Sequence, residues 1–211
     1  MLATASICHS PLTLLATWLR GAAAQTDSHN HDAMSLATVD PDGRPSNRIV
    51  LCKRVDEEAG GLVFFTNYES RKARALAINP YAAATFHWDA LGRQARVEGL
   101  VQRVSAAESD AYFNARPIGA RIGAWASRQS EPLASRDELE RAVEKSSQRA
   151  EGDLVPRPPF WGGYLLLADR VELWVAGDNR LHERVLWSRS LGVDSSGAHP
   201  TSAWQSTLLY P

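Results

Sequence analysis

The feature that most constrains the fold is the order of the predicted elements from residue 35 onward. Strands predominate, and the few helices between them do not alternate with them. Residues 35–39 and 48–53 flank a turn at 40–43 whose Pro and Gly suit a hairpin. The apolar run 62–66 is typical of a strand buried on both faces. This order disfavours a doubly wound parallel sheet and favours a closed or split antiparallel barrel.

The remaining elements fit the same architecture. Further strands are predicted over residues 82–88, 94–104, 164–175, 182–190 and 204–210. Helix starts are predicted at four capping serines, namely Ser10, Ser70, Ser105 and Ser135. We therefore predict one α+β domain, mainly β, over residues 1–211, in which residues 1–32 form an N-terminal helix and loop.

Composition limits the classes of partner. The 211 residues are 44% hydrophobic and 22% charged, which indicates a folded globular chain. A net charge of −1 disfavours a general affinity for nucleic acid or an anionic membrane, so any anion site must be local. Two cysteines, Cys8 and Cys52, cannot form a disulfide framework, which favours a reducing, cytoplasmic setting.

Two kinds of binding motif are not expected. His29 and His31, flanked by Asp27 and Asp32, resemble a metal cluster, but a loop is the better interpretation and we predict no metal. Glycine-rich phosphate loops are absent from the sequence. A nucleotide-type ligand would therefore be held by side chains.

Cationic side chains occur in unusual places. Arg71 and Lys72 begin a predicted helix, where the helix dipole disfavours positive charge unless an anion is bound. Arg180, His182 and Arg184 are spaced by two, so in an extended segment they would point to one face. The alternative interpretation of these three is a solvated strand edge or a ladder of structural ion pairs.

Several polar residues are further candidates. Gln94, Gln129 and Ser130 can each hydrogen-bond a heteroaromatic ring or a phosphate, although singly such residues are more often surface groups. Tyr112 and Arg116 are four residues apart on a predicted helix and would share a face. A core tyrosine next to a surface arginine is the alternative for this pair.

Taken together, these motifs resemble the FMN-dependent pyridoxine (pyridoxamine) 5′-phosphate oxidases, including their phenazine-biosynthesis branch. The motifs run in order along the chain: RIVLCK at 48–53, FTN at 65–67, SRKA at 70–73, RQ at 93–94, YF at 112–113, RP at 116–117, IGAWAS at 122–127, QS at 129–130, FWGG at 160–163 and RLHER at 180–184. The resemblance implies an FMN-binding split β-barrel with peripheral helices, assembled as a homodimer with an FMN in each of two interface clefts.

By position, the resemblance also implies roles for individual residues. The flavin-binding residues would be Arg48, Ile49, Val50, Leu51, Phe65, Thr66, Arg71, Lys72, Gln94, Gln129, Ser130, Trp174 and Arg184. Among them, Arg48, Arg71 and Lys72 would hold the FMN phosphate.

The same resemblance assigns the substrate side. Lys53, Tyr112 and Arg116 would hold the substrate's phosphate, while Arg180 and His182 would be the catalytic residues beside the substrate ring. The implied reaction is hydride transfer from the substrate to the flavin, followed by reoxidation with O₂ and release of hydrogen peroxide.

Two departures from the family pattern bear on the substrate. Ala120 stands where the family has a serine that hydrogen-bonds the substrate phosphate, and the N-terminal segment that closes over the substrate has no counterpart in this sequence. These departures favour a reduced phenazine carboxylate as the substrate, with vitamin B6 phosphate oxidation as the alternative. A third possibility is a non-catalytic flavin- or haem-binding protein on the same barrel.

Overall fold

The computed structural model describes residues 10–26, 29–149, 154–195 and 197–211. Cys8 and Asp27 lie outside these ranges. Five α-helices are present in the described ranges: α1 (Pro11–Gln25), α2 (Arg71–Ile78), α3 (Ala106–Asn114), α4 (Ile118–Ala126) and α5 (Arg136–Ser147). None of them has the length and apolar character that a bilayer-spanning helix needs.

The strands of the described ranges carry most of the fold. They are β1 (Ala33–Val39), β2 (Pro45–Leu51), β3 (Arg54–Asp56), β4 (Gly61–Asn67), β5 (Tyr81–Trp88), β6 (Arg93–Arg103), β7 (Trp161–Val175), β8 (Glu183–Ser188), β9 (Leu191–Asp194), β10 (Gly197–Pro200) and β11 (Gln205–Leu208).

Nine of these strands form one curled antiparallel sheet in the order β11-β8-β7-β6-β5-β1-β2. The sheet branches at β7, which also pairs with β4, and β4 in turn pairs with β3. Strands β9 and β10 form a separate hairpin. The mainly β split-barrel fold predicted from the sequence is confirmed, as are the two hairpins β1–β2 and β5–β6.

The core lies inside this curled sheet, and β4 and α1 contribute much of it. Leu62 and Phe64 on one face of β4 and Val63 on the other are buried, as expected for a strand covered on both faces. Helix α1 buries Leu12 and Leu15 in the same cluster. Trp18 of α1 meets Trp88 edge to face at 6.3 Å between ring centroids.

The predicted helix starts are found where the serines indicated, with one difference in chemistry. The hydroxyls of Ser10, Ser105 and Ser135 each accept a backbone N–H of the first helical turn. Ser70 occupies the N-cap of α2, but its hydroxyl makes no capping bond. It instead donates to the carbonyl of Asn67 at 2.7 Å and accepts from Lys72 at 3.2 Å, because the buried ammonium needs acceptors.

Some elements were not predicted. Helix α4 has two glycines and no side-chain cap, so its sequence gives little helical signal. Strand β3 and the hairpin β9–β10 are short and lack clear alternation. The strands predicted over 182–190 and 204–210 are also shorter in the structure, as β8 and β11.

Two sequence expectations about side-chain placement are wrong. Arg180 is not in an extended segment: it ends the 3₁₀ turn Asp178–Arg180, where Asn179 and Arg180 have φ of 54° and 64°. The chain therefore reverses before β8, and the three cations at 180, 182 and 184 do not share one strand face. Arg116 does not share a face of α3 with Tyr112, because α3 ends two residues earlier, at Asn114.

Candidate functional site

A cavity of about 850 Å³ opens between the β2 and β4 strands, the start of α2 and helix α4. This volume lies in the upper part of the range usual for sites that bind small molecules or cofactors. Fourteen of the residues singled out in the sequence line it: Arg48, Ile49, Val50, Leu51, Lys53, Phe65, Thr66, Arg71, Lys72, Tyr112, Arg116, Ala120, Gln129 and Ser130.

Arg48 lies at the cationic end of this cavity and is fixed by neighbouring strands. Its Nη1 donates to the carbonyl of Leu36 at 3.1 Å and to Thr38 Oγ1 at 2.8 Å. Its Nη2 donates to Ser46 Oγ. Burial lowers the pKa of Arg48, and the charge of Asp40 opposes this shift. The guanidinium is thus oriented in advance, and most of its charge is left for an anion in the cavity.

Arg71 is held by the turn between β1 and β2. Its Nε donates to Asp40 Oδ2 at 3.0 Å, and its Nη2 contacts the same oxygen. This hydrogen bond raises the pKa of Arg71 and lowers that of Asp40. The backbone N–H of Arg71 donates to Ser130 Oγ at 3.2 Å, which ties the start of α2 to the loop after α4.

Lys72 is the most buried cation of the cavity, with 8% of its surface exposed. Its Nζ donates to Thr66 Oγ1 at 2.9 Å and to Gln129 Oε1 at 2.7 Å. Desolvation, assisted by the charge of Arg48, lowers the pKa of Lys72 to about 8. No carboxylate of the described residues forms an ion pair with Lys72 or Arg48, so this end of the cavity has an excess of positive charge.

Another part of the cavity lining has an aromatic wall and a further cation. Phe65 stacks on Tyr112 with 3.9 Å between ring centroids and on Trp161 with 5.6 Å. The guanidinium of Arg116 lies 4.7 Å from the centroid of the Trp161 ring. Burial lowers the pKa of Arg116, and its Nη1 has no hydrogen-bond partner among the described residues. An unpaired buried donor of this kind is costly unless a ligand completes it.

The other predicted site residues form a second group outside this cavity. Gln94, Trp174 and Arg184 are directly opposite one another across β6, β7 and β8. The His182 ring lies 4.5 Å from the Trp174 ring. Trp174 is thirteen residues after Trp161 on β7, which corresponds to about 40 Å of strand. In a single chain, the second group does not line the cavity.

Within this second group, hydrogen bonds fix the orientations of the Arg184 and His182 side chains. Arg184 Nε donates to Glu172 Oε1 at 2.9 Å, and this bond raises the pKa of Arg184. The backbone N–H of Gly177 donates to His182 Nδ1 at 3.2 Å, so the neutral imidazole carries its proton on Nε2. That N–H is the ring's remaining donor. Arg180 is exposed in the preceding turn.

Three acidic residues of these sites were not predicted as partners. Asp32 accepts from Lys53 Nζ at 2.7 Å, Asp40 binds Arg71, and Glu172 binds both Arg96 and Arg184. The predicted β1–β2 hairpin contains a signal for the first pair, because its register pairs residue 33 with 51. Asp32 and Lys53 then lie just beyond that pair, past the adjacent ends of β1 and β2.

The curled sheet, the cavity beside β2 and β4 and the peripheral helices define a protein with the split-barrel fold. A related FMN-binding protein of Nostoc punctiforme has the same fold, with a TM-score of 0.71 and 19% identity over 94% of this chain and 96% of that one. The profile of the pyridoxamine 5′-phosphate oxidase family matches residues 22–150. The profile of the pyridoxine 5′-phosphate oxidase C-terminal dimerisation region matches residues 161–211. The chain belongs to the pyridoxamine 5′-phosphate oxidase family.

Individual relatives bear two different names. A pyridoxine/pyridoxamine 5′-phosphate oxidase of Paraburkholderia xenovorans is 50% identical over 203 residues, which are 96% of this chain and 89% of that protein. One of Anaeromyxobacter dehalogenans is 55% identical over 79% of this chain and 83% of its own length. The crystal structure of PhzG from Burkholderia lata, in complex with tetrahydrophenazine-1-carboxylic acid, superposes with a TM-score of 0.82 at 30% identity, covering 96% of this chain and 93% of that one.

Proposed function

We propose that this protein is an FMN-dependent oxidase that acts on an anionic nitrogen heterocycle, with O₂ as the final electron acceptor. The observation that carries this proposal is the presence of two separate cationic groups in one cavity. Arg48, Arg71 and Lys72 form one group, and Arg116 with the Phe65–Trp161 aromatic wall forms the other. One group suits the phosphate of a cofactor and the other suits the anionic end of a substrate.

The cationic group near α2 fits the terminal phosphate of FMN. Arg48 and Lys72 have no carboxylate partner in the described ranges, and a phosphate would relieve the desolvated charge of Lys72. Thr66, Gln129 and Ser130 add hydrogen-bonding groups beside it. When bound there, a flavin supplies the hydride acceptor that no side chain of this protein can provide. The residues themselves bind and orient the reactants.

For the substrate, we propose a vitamin B6 phosphate, pyridoxine or pyridoxamine 5′-phosphate. This order reverses the preference drawn from Ala120, because the relatives that share about half of their residues with this chain bear the vitamin B6 name. Arg116 also offers a buried, unpartnered N–H, and Lys53 and Tyr112 line the same cavity. These three side chains suit a phosphate, which binds best to several charged or hydroxyl donors.

A reduced phenazine carboxylate is the second candidate substrate. Ala120 lines the cavity with a methyl group in place of a hydroxyl donor, and a carboxylate requires fewer donors than a phosphate. The 30% identity with PhzG over nearly the whole chain also supports this candidate.

We further propose that the catalytic cleft is completed by a second copy of the chain. Gln94, Trp174 and Arg184 would contact the flavin bound by the partner, and Arg180 and His182 would lie beside its substrate. The match of residues 161–211 to a dimerisation region supports this arrangement. His182 Nε2–H would then donate to the substrate or help to move a proton.

Two coarser assignments accompany the proposal. We propose that residues 1–211 act as a single domain, because β7 pairs with β4 and β6 from the preceding part of the chain. We also propose a cytoplasmic location, which suits the free and buried thiol of Cys52.

The test is anaerobic mixing of the FMN-loaded protein with each candidate substrate, followed by flavin absorbance. We expect rapid bleaching with pyridoxamine 5′-phosphate, slower bleaching with a dihydrophenazine carboxylate, and recovery of the yellow colour with peroxide formation on admission of air. Ala120→Ser should improve vitamin B6 phosphate turnover about tenfold, the effect of one charge-assisted hydrogen bond. Bleaching by the phenazine alone would reverse the order of substrates, and bleaching by neither would contradict the oxidase.

A further inference from the structure

We propose that Asp32 determines how strongly the substrate site prefers a doubly charged anion, through its ion pair with Lys53; this inference rests on the proposed function. Asp32 Oδ2 lies 2.7 Å from Lys53 Nζ, and the two side chains are 19% and 28% exposed. The pair is therefore partly shielded from solvent, where its charges interact more strongly than on an open surface.

The backbone places this pair. The N–H of Cys52 donates to the carbonyl of Asp32 at 2.9 Å, which extends the β1–β2 ladder by one step. The N–H of Lys53 donates to the carbonyl of Val63 on β4 at 2.8 Å. Both residues are thus anchored to the sheet on either side of the ion pair, so its geometry follows from the fold and needs little extra ordering of the side chains.

The position of Lys53 connects two cavities. It lines the large cavity together with Arg116, and it also lines a smaller cavity of about 350 Å³ beneath α1. Asp32 lines only the smaller one. The Asp32 carboxylate therefore compensates the charge of the Lys53 ammonium from the side of the smaller cavity, without itself contacting a ligand in the large cavity.

The other charged residues near the pair do not compensate the charge of the Lys53 ammonium. Arg54 also lines the smaller cavity, but its Nη2 is engaged by Asp56 at 2.8 Å and by Glu108 at 2.7 Å. Glu57 accepts a hydrogen bond from Thr13 of α1. His31 lines the same cavity, and its carbonyl accepts from the Trp88 indole N–H at 2.9 Å. Asp32 is the carboxylate that the structure pairs with Lys53.

The consequence is electrostatic. With Asp32 ionised, the substrate's anionic group meets the full charge of Arg116 but a largely compensated Lys53. Because Coulomb energy is proportional to the charge of the ligand, this compensation costs a phosphate dianion about twice as much free energy as it costs a carboxylate. Asp32 therefore narrows the difference in affinity between a phosphate and a carboxylate, which are the anionic groups of the two candidate substrates.

The test is the variant Asp32→Asn in the full-length, FMN-loaded protein. Two ligands that are not oxidised serve as probes: 4-deoxypyridoxine 5′-phosphate, a dianion at pH 8, and phenazine-1-carboxylate, a monoanion. Their dissociation constants are measured from the change in flavin absorption. We expect the variant to bind the phosphate about tenfold more tightly and the carboxylate only about threefold more tightly, in keeping with their charges.

The control is Asp42→Asn, which removes an exposed carboxylate paired with Arg44 in the β1–β2 turn and should change neither constant. Asp32→Ser is a second variant with the same expectation, and retained FMN content establishes that each is folded. Equal changes for both probes, or weaker binding of both, would overturn the specificity role and make Asp32 a structural support for Lys53. If the wild-type protein holds FMN but binds neither probe, both this inference and the proposed substrate class fail.

Discussion

At the scale of single residues, the site depends on cations that the fold keeps partly uncompensated. Lys72 is buried and Arg116 half-buried, each without a carboxylate in ion-pairing distance in the described ranges, and burial lowers the pKa of each. A protein that needed only stability would not retain such charges, because a buried ion without a charged partner opposes folding. Arg71 differs in being paired with Asp40, which orients it and reduces its effective charge.

Lys72 leads to a prediction about pH. Its pKa of about 8 lies below the ordinary value of 10.5, so in the flavin-free protein the ammonium loses its proton earlier than in the unfolded chain. An anionic phosphate binds the charged form. FMN affinity should therefore begin to fall between pH 7 and 8, as the ammonium titrates, and should fall above pH 8 by about tenfold for each further pH unit at most. Equilibrium titration of the apoprotein, followed by flavin fluorescence, measures this.

The variant Lys72→Met is the control for that experiment. Methionine keeps a side chain of similar length without a charge. Because one charge-assisted bond contributes about 1.5–3 kcal/mol, FMN affinity at pH 7 should drop by at least tenfold. The decline of FMN affinity above pH 8 should disappear. Flavin-free wild-type protein should in turn gain stability as the pH rises from 8 towards 10.5, because the folded state disfavours the ammonium. A decline in affinity that persists in Lys72→Met would assign the titration to another group.

At the scale of elements, β7 organises the molecule. It pairs with β4 along its first half, with β6 along most of its length and with β8 along its second half. The β6–β7 ladder shifts register between Glu98 and Gly99. This irregularity lets a strand of 15 residues bend, so that one end lines the cavity and the other carries Trp174.

Gly99 should be indispensable for this bend. A Cβ placed there would lie 2.0 Å from the carbonyl oxygen of Leu167, a backbone atom that cannot move without disturbing the ladder. Gly99→Ala should therefore lower the free energy of unfolding by about 1–3 kcal/mol, as overpacking in a core does. Urea denaturation followed by tryptophan fluorescence measures the change.

Gly21→Ala provides the matched control. Gly21 lies inside α1, and its added methyl group would meet only the end of the Gln25 side chain at 3.5 Å. Alanine should stabilise the helix there by about 0.5–1 kcal/mol. If Gly99→Ala were as stable as Gly21→Ala, the close approach of β6 and β7 would not be the reason for the glycine.

At the scale of the whole molecule, the predicted site residues divide into two groups on one chain. The cavity group surrounds β2, β4 and α2, whereas Gln94, Trp174 and Arg184 form a row across β6, β7 and β8. If two copies complete each other's clefts, the groups can be inactivated on different chains. This arrangement gives a prediction that does not depend on the identity of the substrate.

The prediction concerns mixed dimers of Lys72→Met and His182→Ala. At an FMN concentration that fills wild-type clefts but not those of Lys72→Met, each variant alone should be nearly inactive. Random exchange of subunits makes half of the dimers mixed, and each mixed dimer contains one intact cleft of two, so about a quarter of the wild-type activity should return. Activity of the refolded mixture measures this. A mixture no more active than its components would place both groups in the cleft of a single chain.

Much of the fold followed from local sequence signals. Strand β4 was recognisable because a strand buried on both faces needs a continuous apolar run, and α1 to α3 and α5 because serines mark their starts. Helix α4 was not, since its two glycines weaken its helical signal, and its contacts are the partly buried Ile122, Ala124 and Trp125 against the Phe113–Trp161 cluster. The resemblance to the family supplied the candidate site residues in advance, and fourteen of them line one cavity.

The sequence by itself determined the types of side chain, the hairpin that carries Arg48 and the helix start that carries Arg71 and Lys72. Tertiary structure alone decided the shifts of their pKa values, because desolvation and ion pairing depend on neighbours remote in the chain, such as Asp40 for Arg71 and Gln129 for Lys72. It also decided that Arg180 ends a turn with positive φ, where spacing by two had suggested one strand face. Spacing by two residues defines one face only in extended backbone. Only the folded chain fixes the backbone conformation at residue 180.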